Sequence, residues 1–235
     1  MRHAELRTRV YEANLALTRS GLVSLTFGNV SEVDRSAGVI AIKPSGVPYD
    51  ELDAGSIVVV DLESGELRDS DHQPSSDTPT HRVLYQRFPA IGGVAHTHST
   101  FATSWAQARR EIPCFGTTHA DHFHGPVPVT RALRDDEIQG EYERLTGDVI
   151  VETFERRSID PVGVPAVLVS SHGPFSWGVD AAAAVEIAVA LELVAELAQR
   201  TTALDASAEP ISDALLERHF GRKHGPGAYY GQARA

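Results

Sequence analysis

Apolar residues recur along the chain at two spacings, and the alternation between them predicts the elements. Leu6, Val10, Ala13 and Leu17 stand three or four apart, the period of an amphipathic helix that should end near Gly21. Short β-rich runs follow at Val23–Phe27, Val39–Ile42 and Ile57–Asp61, each bounded by Gly, Pro, Asp or Ser. Helical stretches are predicted over about 78–88 and 99–109, with IGGVAH as the strand running into the second. A charged helix starts at Asp135 or Asp136, and DVIVETF after it fits either a strand or a helical continuation. AVLVS at 166–170 reads as a buried strand. Ala181 to Ala198 reads as a long helix with Asp180 as N-cap, and a further helix is expected over 209–219. Helices and strands therefore alternate without a repeat or a Pro/Ser-rich linker, which predicts one α/β domain over 1–235. The closing GRKHGPGAYYGQARA is too rich in glycine to pack by itself.

Composition narrows the setting. Of 235 residues, 42% are apolar and 23% charged, enough to bury a core. The 21 Lys and Arg against 32 Asp and Glu leave a net charge of −11, which argues against nucleic acid or an anionic membrane as partner. A single cysteine, Cys114, excludes an intrachain disulfide and fits a reducing compartment. The N-terminus lacks the apolar centre of a secretory signal, and Glu186, Glu192 and Glu196 interrupt the most apolar segment, so no membrane span is expected. These features predict a soluble cytoplasmic protein whose ligand is small.

The eleven histidines are informative by placement. His96 and His98 end an apolar strand two residues apart, and alternate side chains of extended backbone share a face. His172 follows a second apolar strand. Three neutral imidazoles that leave one position open are how zinc is held when it must meet a substrate. A His-x-His pair also occurs as a plain loop feature, and His3, His72, His81 and His224 are read as ordinary solvated residues. Three turns suit a phosphate. Pro74-Ser75-Ser76-Asp77-Thr78-Pro79 looks like a helix start, with free N–H groups and hydroxyl donors. Lys43-Pro44-Ser45-Gly46 supplies a cation, a hydroxyl and a glycine, and Gly28-Asn29 offers another close backbone approach.

Taken together, FGNVSEVDR, IKPSGVPYDEL, PSSDTPTHRVLYQ, GGVAHTHSTFATSWAQ, GTTHADHFHGPVPVTR, GDVIVETFE, SSHGPFSWG and RKHGPGAYYGQ resemble the L-ribulose-5-phosphate 4-epimerase family of the class II aldolase/adducin superfamily. The likeness runs from about residue 6 to Gln232. It implies a class II aldolase-like fold, a central and largely antiparallel sheet flanked by helices in three layers. It implies one zinc ion per subunit on His96, His98 and His172, with Asp77 as a further ligand. Gly28, Asn29, Lys43, Ser45, Gly46, Ser75, Ser76 and Asp77 fall on the substrate and its phosphate. Asp121 and Tyr230 become the proton-transfer pair, although by themselves they read as a turn aspartate and an aromatic anchor. His219 and Arg222 are candidates to support them. One departure is visible: His122 and His124 stand where the family has tyrosines.

The implied reaction interconverts L-ribulose 5-phosphate and D-xylulose 5-phosphate by breaking and remaking the C3–C4 bond, because C4 is not acidic enough for simple deprotonation. Two acid/base groups on opposite faces are then needed. Related sugar-phosphate aldolases, such as those cleaving fuculose phosphate, carry a glutamate where Asp77 stands. An adducin-head-like binding domain shares the fold but would lack the metal ligands. The resemblance further implies a homotetramer with sites between adjacent subunits, the tail from about 220 docking at the interface.

Overall fold

The computed structural model describes residues 2–229. Leu6, Val10, Ala13 and Leu17 are buried on one side of α1 (Ala4–Arg19), as their spacing predicts. The strands are β1 (Asn29–Asp34), β2 (Val39–Ile42), β3 (Val58–Asp61), β4 (Leu67–Asp69), β5 (Gly93–His96), β6 (Ala166–Leu168) and β7 (Pro174–Gly178). Among the described residues they form one seven-stranded sheet of order β4-β3-β2-β1-β5-β7-β6, antiparallel at every pairing. The helices after α1 are α2 (Thr78–Arg87), α3 (Thr100–Gln107), α4 (Thr117–Ala120), α5 (Asp135–Gln139), α6 (Tyr142–Arg157), α7 (Ala181–Leu204) and α8 (Asp213–His224).

Strand alternation sorts the core into two layers. Ile40, Ile42, Val58, Val60 and Val94 pack with Val83 and Leu84 of α2, Phe88 just after it, and Ile150, Val151 and Phe154 of α6. On the other face, Val39, Ala41, Ile57 and Val59 meet α1, while Val30 and Ala95 meet Ala181, Ala184 and Val185 of α7. The result is the three-layer arrangement expected, helices over both faces of an antiparallel sheet. Asp180 caps α7 as predicted, its carboxylate accepting from the Ala183 amide at 2.8 Å. No described helix is long and apolar enough to cross a membrane.

Several expected elements lie elsewhere. Val23–Phe27 is a loop: Leu25 sits at φ 56° and 81% exposed, and the Phe27 amide closes a turn onto Ser24. The strand comes later, as β1, whose sequence NVSEVD hides it by burying polar residues on both faces. Those residues are satisfied by partners distant in sequence. Ser31 meets His81 and Tyr85, and Glu32 accepts from Arg9 and from the Ala181 amide. DVIVETF is helical, inside α6. Strands β4 and β7 and the single turn α4 carry no periodic signal, and α8 starts later and runs further than 209–219.

Candidate active site and metal centre

Strand β5 and the β6–β7 hairpin carry the imidazoles together. His96 is the last residue of β5 and pairs with Phe175 of β7, so its neighbour across the ladder leads straight back to His172. The ring centroids of His96, His98 and His172 lie 4.8 to 5.0 Å apart. Their ligand atoms all fall within 4.8 Å of one another, and the Nε2 atoms of His96 and His98 are 3.1 Å apart. Tetrahedral zinc at roughly 2.05 Å from each nitrogen would place two such nitrogens about 3.3 Å apart. His96 Nδ1 donates to the Pro174 carbonyl at 2.9 Å, so its Nε2 keeps the lone pair. His172 Nδ1 is buried with no hydrogen-bond partner. Burial pushes His172 down to about 4, and burial with the neighbouring His96 also lowers His98, so both are neutral donors at pH 7. The donor set fits a divalent metal ion.

Asp77 stands at the start of α2 and lines the same cavity, outside the imidazole cluster. Its carboxylate accepts from Asn29 Nδ2 at 2.7 Å. Burial raises the Asp77 carboxyl, but His96, His81 and the Asn29 amide outweigh that and hold it below the ordinary range. The helix start is clipped to the Lys43 turn: the Ser75 amide donates to Lys43 O and the Ser45 amide to Gln73 O. Asn29 Nδ2 also donates to Ser75 Oγ at 3.1 Å. Gly28 has φ 79°, and a Cβ there would stand 2.9 Å from His96 O and 2.7 Å from Val23 Cγ1, so only glycine fits this turn. These contacts draw the three turns read as phosphate-suited and the three imidazoles around one cavity of about 420 Å³.

Lys43 is 2% exposed, with Nζ donating to the Val47 carbonyl at 2.8 Å. Among the described residues no carboxylate pairs with it, and burial pushes the ammonium down to about 8. A cation held this way, beside serine hydroxyls and a helix N-terminus, suits an anion. The cavity also touches Tyr142, Glu143, Thr26 and Phe27, none of them foreseen from sequence. Phe27 stacks on His98 at 6.0 Å, and Tyr142 and Glu143 arrive at the N-terminus of α6. Their approach is tertiary, so no local motif could have announced it.

His81 corrects an expectation. It is fully buried rather than solvated, its Nδ1 2.7 Å from Ser31 Oγ, and burial lowers it to about 3. It shares a face of α2 with Asp77 one turn earlier. His224 is exposed, as expected, with its Nε2 3.0 Å from Asp121 O.

Asp121 is the C-cap of α4, and α8 closes over it. Arg222 grips both carboxylate oxygens at 3.1 and 2.7 Å, and His219 Nδ1 meets Oδ1 at 3.0 Å. Burial pushes the Asp121 carboxyl up, yet the Arg222 and His219 hydrogen bonds win and hold it low. His122 beside it lines a groove with Ile91, Trp177 and Gly178. Gly178 pairs with Gly93, the residue at the far end of β5 from His96. Three strand steps of about 3.3 Å put roughly 10 Å between those ends. Within one chain, Asp121, His219 and Arg222 come together, and none of them lines the cavity of the imidazoles. His124, the other departure, contacts Glu217 at 2.7 Å and packs on Phe220, binding α8. Tyr230 lies outside the described residues.

An antiparallel three-layer domain carrying a histidine triad on a cavity shared with the Lys43 and Ser75 turns has known relatives. Residues 8–199 match the class II aldolase and adducin N-terminal domain, and the chain belongs to that family. Within it, the sequence is 51% identical over 228 residues to the L-ribulose-5-phosphate 4-epimerase UlaF of Salmonella paratyphi C (strain RKS4594), covering 97% of this chain and 99% of that protein. The UlaF of Salmonella typhi matches to the same degree. Among solved structures, an L-fuculose 1-phosphate aldolase superposes with TM-score 0.79 at 23% identity, covering 94% of this chain and 97% of that one. The l-fuculose-1-phosphate aldolase of Thermus thermophilus gives 0.67 at 21%, with 89% and 100% covered. These structures share the fold.

Proposed function

We propose that the chain is a metal-dependent epimerase that interconverts L-ribulose 5-phosphate and D-xylulose 5-phosphate. The observation that carries this reading is the single cavity joining the His96–His98–His172 cluster to the Lys43, Ser75 and Asn29 turns. Its two halves match the two ends of a sugar phosphate. The 51% identity to named epimerases across nearly the whole chain supports the 4-epimerase over an aldolase, as does Asp77 in place of a longer glutamate. The intact triad argues against an adducin-like binding head.

His96, His98 and His172 would hold zinc, with Asp77 beside it. When bound there, the ion supplies Lewis-acid polarisation of the substrate's carbonyl and hydroxyl oxygens. Lys43, Ser45, Gly46, Ser75 and Ser76 hold the phosphate by charge and hydrogen bonds, and Gly28 and Asn29 line the path between the ends. Once the C3–C4 bond opens, the two-carbon aldehyde must turn without leaving, which requires its phosphate to stay fixed. Asp121 and Tyr230 take and return the C4 hydroxyl proton on opposite faces. Because Asp121 does not line the cavity of its own chain's imidazoles, it would serve a neighbouring subunit. That placement supports a homotetramer with shared sites, and a single free cysteine, the buried Cys114, fits the cytoplasm.

Product analysis decides the reaction. Incubation with L-ribulose 5-phosphate should yield D-xylulose 5-phosphate and no free two-carbon fragment. Accumulation of glycolaldehyde phosphate would identify an aldolase instead.

A further inference from the structure

One side chain that no catalytic or binding role claims, although not itself in the cavity lining, contacts Lys43 on one side of the cavity and the Phe27–Gly28 turn on the other. Tyr49 stands six residues after Lys43, 7% exposed, in the core cluster under β2 and β3. The Lys43 Nζ lies 4.7 Å from the centroid of its ring. Its hydroxyl donates to the carbonyls of Gly28 at 2.9 Å and Phe27 at 3.1 Å, a shared bond from one proton. Among the described residues, Lys43 otherwise has the carbonyls of Val47 and Pro44. A desolvated ammonium is stabilised by an aromatic face as well as by carbonyl dipoles. The Gly28 turn in turn backs onto His96 O, closely enough that a Cβ could not fit. The hydroxyl is able to donate throughout, since burial pushes the phenol well above its ordinary range.

We propose that Tyr49 is a positioning residue with two separable tasks. Its ring keeps the Lys43 ammonium in place for the substrate's phosphate, and its hydroxyl pins the Phe27–Gly28 turn beside the metal-binding imidazoles. The inference rests on the phosphate location proposed above. The Lys43 ammonium is the cation in question, so its facing groups matter: they are the Tyr49 ring and the Val47 and Pro44 carbonyls.

The two tasks separate by substitution in the full-length protein, with inorganic phosphate as the binding probe and L-ribulose 5-phosphate for kinetics. Tyr49→Phe keeps the ring and loses the tether. Phosphate affinity and KM should stay at the parental value, while kcat falls roughly fivefold, the size of one ordinary hydrogen bond. Tyr49→Leu loses both tasks: phosphate affinity should fall about tenfold, in the range of a desolvated cation–π contact. Zinc content should remain parental in both, which separates a positioning effect from a collapsed site. Parental phosphate affinity in Tyr49→Leu, with Lys43→Met weakened, would overturn the ring's task alone. Parental kcat in Tyr49→Phe would overturn the tether, and this variant tests it even if Tyr49→Leu does not fold. Parental phosphate affinity in Lys43→Met would remove the phosphate from this turn and take the Tyr49 assignment with it.

Discussion

Lys43 shows how a residue's chemistry is made by its surroundings. In sequence it is one cation in a KPSG turn; in the fold it is buried, faces carbonyls and a ring, and is pushed down to about 8. The ammonium is charged below that value and neutral above it. Phosphate ester, with a second pKa near ~6, stays dianionic on both sides. Binding of L-ribulose 5-phosphate should therefore weaken as pH rises through about 8, seen as a rise in KM with kcat less affected. Lys43→Met should weaken binding by roughly 1.5–3 kcal/mol and flatten that pH dependence. The metal half is tested by elemental analysis of His96→Ala and His98→Ala, each of which should lose its zinc. Full occupancy in both would remove the triad as the metal site.

Among the elements, helix ends decide where the machinery sits. The start of α7 is secured locally, by the Asp180 carboxylate on Ala183 N, and Asp180→Ala should cost about 1 kcal/mol. The start of α3, just after His98, is secured from a distance. Glu192 of α7 accepts from the amides of Phe101 and Ala102 at 2.8 and 2.9 Å, while Ser99 makes no side-chain cap. Glu192→Ala strips two amides of a charged acceptor and should cost more than the Asp180 change, roughly 1.5–3 kcal/mol by thermal or denaturant unfolding. Equal or smaller loss would mean that water replaces the carboxylate. Helix α8 has no buried residue of its own and is held on α4 by Asp121 and on His124 by Glu217. Polar contacts, not a core face, thus present Asp121.

For the molecule as a unit, Asp121 is gripped by Arg222 and His219 and does not line the cavity that holds the imidazoles. A shared site makes a definite expectation. Asp121→Asn should keep zinc and lose epimerase activity; His98→Ala should lose zinc and activity together. Refolded mixtures of the two should recover part of the parental rate, because some hybrid interfaces pair an intact metal centre with an intact Asp121. Verified hybrids without recovery would sink the shared site, as would full activity in a monomer.

Local rules carry a definite share of this protein. The period of α1, the Asp180 cap, the strand ending in His96-Thr97-His98 and the chemistry of the Lys43 and Ser75 turns are all legible in the chain, because each depends on neighbours a few residues away. Resemblance adds the family and the three-layer sheet. Strand β1 escapes such a reading because its buried Ser31 and Glu32 look solvent-facing until Tyr85, His81 and Arg9 arrive to pair with them. His81 looks solvated for the same reason. Tyr49, Phe27, Tyr142 and Glu192 enter the picture through contacts between segments tens of residues apart. The folded chain alone decides that Asp121 is gripped by Arg222 and His219 outside the cavity of the imidazoles, since the docking of α8 on α4 sets that placement and is not written in any short stretch of residues.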